Sequence, residues 1–178
     1  MDLDELKRIP LSDIDIYNRL KGRTNIVLYR DLVRYDKIDD LLVDNSAVIL
    51  YDKQPRNGHW VCIIRYHRND RPTIEFFDSY GIFPDEEKKF IGKLFLNKSG
   101  QQKNKIAQLL YEASYRYGIE YNDYRLQVRR GSIATCGRHV ISRILLKDLN
   151  IDEYNQFMRS FFGFTPDDIA TVISQLNI

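Results

Sequence analysis

Three short runs in the middle of the chain constrain its fold more than any other feature. Ala47 to Tyr51, Trp60 to Tyr66 and Thr73 to Phe77 are rich in β-branched and aromatic residues. The turn-forming stretches Arg56-Asn57-Gly58 and Arg68-Asn69-Asp70 separate them, which predicts neighbouring strands of one sheet. Helical patterns surround them. Ser12 can cap a stretch carrying Ile16, Tyr17 and Leu20 before Gly22, and Leu32, Val33, Tyr35, Ile38, Leu41 and Leu42 follow at helical spacing. Downstream, residues 85–96 and 106–117 read as helices around a polar loop at 97–104, and Ile119 to Val128 alternates as a further strand. A helix over 136–149 carries the apolar stripe Val140, Ile141, Ile144, Leu145 and Leu149. The chain closes with Glu153 to Phe162 and a helix from the cap Thr165, where Pro166 fills the first turn and Asp168 completes a capping box. No repeat recurs, and the layout is α+β.

The 178 residues fit a single domain over 1–178, with 43% hydrophobic and 12% aromatic residues to build its core. No apolar run exceeds about five residues, whereas a membrane span needs roughly 20 and a signal-peptide core roughly 7. The chain reads as soluble and intracellular, with no membrane partner. Cys62 and Cys136 lie far apart without CxxC spacing, so a disulfide scaffold and a zinc ribbon are excluded, and no metal or cofactor is expected.

Chemistry concentrates in four residues that stand in the order His59, Asp78, Gln127, Cys136, each at the end of a predicted element. A thiol nucleophile needs a base, the base needs a carboxylate to fix its tautomer, and an oxyanion needs donors. A hairpin can join the first two. If Asn69-Asp70 forms a two-residue turn, Arg68 pairs with Arg71, His59 lies opposite Tyr80, and Asp78 is its diagonal neighbour on the same face. A four-residue loop centred one step earlier puts His59 directly opposite Asp78, and an odd loop separates them unless a bulge intervenes. Cys136 follows the possible cap Thr135 and so falls in the first turn of a helix, where N–H groups and the dipole favour a thiolate. Its own N–H is a natural oxyanion donor, and Gln127 can add a second, with Asn122 as the substitute. The remaining candidates have plainer roles. Cys62 alternates with Trp60 and Ile64 as a small hydrophobe, His67 sits by a hairpin turn in solvent, and His139 points along its helix. Because His139 is the last histidine, the papain order of Cys before His is excluded.

The segments Gly58-His59-Trp60, Phe76-Phe77-Asp78-Ser79-Tyr80-Gly81, Leu126-Gln127 and Thr135-Cys136-Gly137-Arg138-His139 resemble those of the adenain-like cysteine proteases. The nearest likeness is to the maturation proteases of virophages and Polinton-type elements, in the clan of the ubiquitin-like-protein-processing proteases. The resemblance runs from about Leu11 to Ile169 and implies a central mixed sheet flanked by helices, with the nucleophile at the N-terminus of a central helix. It further implies Cys136 as nucleophile, His59 as base, Asp78 as orienting acid and Gln127 as oxyanion donor. The expected activity is that of a cysteine endopeptidase acting on capsid or other virion proteins, in the infected cell and packaged in the virion. A deubiquitinating or deSUMOylating isopeptidase, a same-clan acetyltransferase, and a non-enzymatic interaction protein are the alternatives.

Net charge is only +2, but residues 86–130 hold ten Lys/Arg against five Asp/Glu. The resemblance allows Lys98, Lys103, Lys105, Arg129 and Arg130 to hold packaged DNA through salt-sensitive phosphate contacts.

Overall fold

A computed structural model describes residues 2–54 and 57–176. Its centre is a five-stranded mixed sheet in the order β1 (Asn25–Leu28), β2 (Ser46–Gln54), β3 (Asn57–Arg68), β4 (Arg71–Phe77), β5 (Gly118–Tyr121). The three predicted strands are its antiparallel middle, and β1 and β5 add parallel edges. Of the turn read before β3, Arg56 lies outside the described residues.

The β3–β4 register is the two-residue one. Arg68 pairs with Arg71, and Asn69 and Asp70 take φ of 49° and 61°, the left-handed pair that a tight hairpin turn demands and that Asn and Asp tolerate. The ladder runs to Cys62 opposite Phe77 and stops. Asp78 therefore stands just past its last rung, and His59, still paired with Tyr51 of β2, lies on the stretch of β3 beyond the reach of β4.

Both sheet faces are covered, which is why the strands read as nearly continuous apolar runs. Trp60, Cys62, Ile64 and Phe77 pack beneath α2 (Asp13–Arg19), α6 (Cys136–Leu145), α7 (Ile151–Arg159) and α8 (Pro166–Ile173). Val61, Ile63, Ile74 and Phe76 pack on the other face against a 3₁₀ helix at Tyr29–Arg34, α3 (Ile38–Leu41) and α5 (Lys105–Ala113). Ser12 and Thr165 cap α2 and α8 with reciprocal boxes to Asp15 and Asp168, as the sequence indicates. Asn150 and Glu153 do the same for α7.

Several predicted elements are shorter or broken. Leu32, Ile38 and Leu41 share one core, but Tyr35 and Lys37 are extended between them, so the 32–42 stretch is a 3₁₀ turn followed by α3. The 85–96 helix divides into a 3₁₀ helix (Glu86–Phe90) and α4 (Lys93–Ser99), because Ile91 is extended. The strand expected over 119–128 ends at Tyr121, where Asn122 turns the chain by donating its Nδ2 to the carbonyls of Asp78 and Tyr124. α6 stops at Leu145, and Arg143 takes the carbonyls of Leu146 and Leu149. Two short elements escape the sequence reading: β1 and α1 (Leu3–Arg8).

Arg143 also crosses from α6 to β4, where its guanidinium forks onto the Glu75 carboxylate at 2.9 and 2.8 Å, both side chains fully buried. Removing one partner strands the other charge in the core. Arg143→Ala is expected to cost about 3–5 kcal/mol in denaturant titrations, and Glu75→Leu combined with Arg143→Met to recover most of that loss. A single variant within 1 kcal/mol of wild type contradicts this account.

Candidate active site

The sheet's free end, the N-terminus of α6 and the loop after β5 meet at a groove of about 910 Å³ lined by His59, Trp60, Tyr80, Gln127 and Cys136. The four residues singled out in sequence are therefore brought together. The backbone around each explains why.

Asp78 is the hinge of this arrangement. Its Oδ1 accepts the Tyr80 N–H at 2.7 Å and its Oδ2 contacts His59 Nε2 at 3.1 Å, while its carbonyl binds Gly81 N–H and Asn122 Nδ2. The carboxylate is thus locked by its own turn before it meets the imidazole. Gly81 closes that turn at φ +69°, where a Cβ would lie 2.8 Å from the Asp123 carbonyl oxygen. Asn122 is committed to holding this turn and is not a donor to the groove.

With Nε2 on Asp78, the other His59 nitrogen is left for Cys136. Burial alone would lower the His59 pKa, but the Asp78 charge and hydrogen bond, with Cys136 adding to them, push it up to about 10. Burial of Cys136 opposes its ionisation. The hydrogen bond and charge of His59 outweigh that, helped by the backbone N–H groups of Trp60 and Gly137, and the thiol falls below its usual value. Each group is thus shifted toward its charged form by the other, the direction that a thiolate–imidazolium pair requires. Cys62 is the internal contrast, since burial and the Glu75 charge push its thiol far up.

Gln127 is held by Ser79. The Ser79 hydroxyl donates to Gln127 Oε1 at 2.7 Å, and the Ser79 carbonyl accepts the Gln127 N–H at 2.8 Å. This leaves the carboxamide's N–H groups free of the clamp, on a residue that lines the same groove as Cys136. In sequence Ser79 is only a turn residue, and nothing there marks its role.

A second His–Asp pair lies behind the groove. Asp167 of α8 contacts His139 Nε2 at 3.0 Å, accepts the Val128 N–H at 3.0 Å and accepts the Thr135 hydroxyl. Thr135 thus spends its side chain on α8 and does not cap α6. Asp167 bonds the residue after Gln127 and the residue before Cys136, tying both sides of the site to one helix. Tyr80 stacks on His59 with centroids 4.9 Å apart, and the Arg129 guanidinium covers the Tyr80 and Phe90 rings at 4.7 Å each.

Among the described residues one cluster has metal-ligand spacing: His59, Asp78 and Glu87, with ligand atoms within 4.8 Å of one another. Lys53 is already ion-paired to Glu87, which opposes a cation there.

Comparison with known proteins agrees with this architecture. No protein-family model matches the chain. It is 36% identical over 177 residues to the uncharacterized protein V9 of Sputnik virophage, covering 97% of this chain and 98% of that protein. Among solved structures it resembles the ASFV pS273R protease, with a TM-score of 0.51 and 14% identity over 94% of this chain and 67% of that one. The selenomethionine form of that protease gives a TM-score of 0.50 at 16% identity over the same shares. At these identities the likeness to the protease is one of fold. No helix among the described residues is long and apolar enough to cross a membrane.

The Gly81 turn supplies a direct test of how the acid is placed. Gly81→Ala should cost about 1–2 kcal/mol for the left-handed backbone and displace Asp78. A lower melting temperature together with a smaller ratio of Cys136 to Cys62 alkylation is expected. An unchanged ratio would show that the turn does not set the acid's position.

Proposed function

We propose that this chain, which belongs to the same family as the Sputnik virophage protein V9, is a cysteine endopeptidase that processes capsid or other virion proteins. One observation carries the reading: a thiol at a helix N-terminus faces an imidazole whose far nitrogen is held by a buried carboxylate, at one end of an open groove. The virophage relative and the protease-like fold support the viral setting, in the infected cell and packaged with the particle.

The chemistry follows from the proton inventory. The Cys136 thiolate attacks the scissile carbonyl carbon, and the carbonyl π electrons move onto oxygen. The Cys136 N–H and a Gln127 Nε2–H stabilise that oxyanion. As the intermediate collapses, the His59 imidazolium gives its proton to the leaving amine, whose C–N bond breaks, leaving a thioester on Cys136. Neutral His59 then takes a proton from water, and the hydroxide attacks the thioester carbonyl. Collapse expels the thiolate and the carboxylic acid product, and the imidazolium is restored. Asp78 holds the ring's tautomer throughout.

Three consequences are measurable. A limiting alkylator should label Cys136 far faster than Cys62 at pH 7, and His59→Ala should abolish the difference. Equal labelling in the wild type would remove Cys136 as nucleophile. Because the Cys136 pKa is lowered and that of His59 raised to about 10, peptidase turnover should fall on the acid side as the thiolate takes up its proton. On the alkaline side it should fall as pH passes about 10 and the imidazolium loses the proton needed by the leaving group. Gln127→Ala should lower turnover on the order of 10–1,000-fold with alkylation nearly intact. Unchanged kinetics would take Gln127 out of the oxyanion site.

A further inference from the structure

Glu87 is a carboxylate that neither the fold nor the proposed reaction so far requires. It sits on the 3₁₀ helix Glu86–Phe90 with only 2% of its surface exposed, although Glu is rarely buried without full pairing. Oε1 is ion-paired to Lys53 of β2, while Oε2 is buried with no hydrogen-bond partner among the described residues. A buried, unsatisfied carboxylate oxygen is a cost that a merely structural residue would be expected to avoid. The direction in which this carboxylate is seated gives it a use. One of its oxygens, an Asp78 oxygen and a His59 ring nitrogen all lie within 4.8 Å of one another.

We infer that Glu87 is a positioning residue of this site, the second negative charge that steadies the imidazolium His59 becomes on taking the Cys136 proton. The inference rests on the cysteine-peptidase reading above. His59 is met by Asp78 from the end of β4, by Tyr80 stacked on its ring, by Tyr51 opposite it on β2, by Cys136 from α6 and by Glu87 from the 3₁₀ helix. Burial raises both tyrosines well above neutral pH, so they contribute no charge. The remaining charges are Asp78, Glu87, the Lys53 ammonium paired with Glu87, and Arg129 beyond the Tyr80 ring. Asp78 alone fixes the tautomer through its hydrogen bond. Glu87 adds field without competing for that nitrogen, and Lys53, a groove-lining residue about a quarter exposed, only partly offsets it. An opposite charge at this separation favours the protonated ring.

The test follows the titration of the His59 ring against pH by NMR in the full chain, which needs no substrate. Glu87→Gln keeps the shape and removes the charge. It should lower the pH at which the His59 ring loses its proton by about one unit, on the order of a 10-fold change in the ratio of protonated to neutral ring. Glu87→Asp, which keeps the charge, should restore at least half of that displacement. Lys53→Met, at a part-exposed position, leaves the carboxylate uncompensated and should move the His59 titration to higher pH. This variant also carries the test if Glu87→Gln does not fold. A His59 titration that stays in place in Glu87→Gln, or in Lys53→Met where that variant must serve, overturns the inference, provided that Asp78→Asn does shift it. If wild-type Cys136 shows no selective, His59-dependent alkylation, the peptidase reading itself has failed.

Discussion

The two-residue turn at Asn69-Asp70 is the constraint on which the site depends. A strand's side chains alternate with a period of two, so a slip of one residue in the β3–β4 pairing would turn one of His59 and Asp78 to the opposite face. The turn prevents the slip because both its residues adopt left-handed backbone and because a slip would carry side chains fitted to one core into the other. The geometry of the candidate site is thus a by-product of hairpin register. The ladder ends one rung before Asp78, and the last contact passes from backbone hydrogen bonds to a side-chain one.

The groove is assembled from elements with different tasks. The sheet and the Asp78 turn fix an acid and a base with little freedom, α6 brings a sulfur and its own N–H, and Ser79 aims a carboxamide. Asp167 then joins the loop carrying Gln127 to the residue before Cys136. The buried charges here are few and specific. Arg143 and Glu75 weld α6 to β4 beneath the site, so the helix that bears Cys136 is anchored at both ends by polar groups. Such groups bring specificity of alignment more readily than net stability.

Much of this was legible in the sequence because period and turn chemistry are local. The three central strands, the Asn69-Asp70 hairpin, the caps at Ser12 and Thr165 and the placement of Cys136 at a helix start follow from residues a few positions apart. The His59 and Asp78 faces follow from parity once the turn length is chosen. What failed was what only tertiary packing decides. Leu32 to Leu42 has helical spacing, yet the same side chains fill one core from a broken backbone. Asn25 to Leu28 is too short to announce a strand until β2 offers it an edge. Ser79, Glu87 and Asp167 carry no local signal, since each acts on a group 28 or more positions away or on a partner brought by another element.

One wall of the groove is made by the chain before α2, including Arg8, Pro10 and Leu11. It is fastened by the Lys7 carbonyl to Ala134 N–H, the Leu11 carbonyl to Trp60 Nε1, the Leu6 carbonyl to Arg138 and a Lys7–Asp168 ion pair. α1, just before it, has no fully buried residue. Its detachment would therefore forfeit a few hydrogen bonds and little apolar burial, far less than disrupting the sheet. The width of the groove and the stability of the fold are separable quantities in this molecule. Amides of the first helix should exchange with solvent through a shallow local opening, while those of β3 open only with the whole domain.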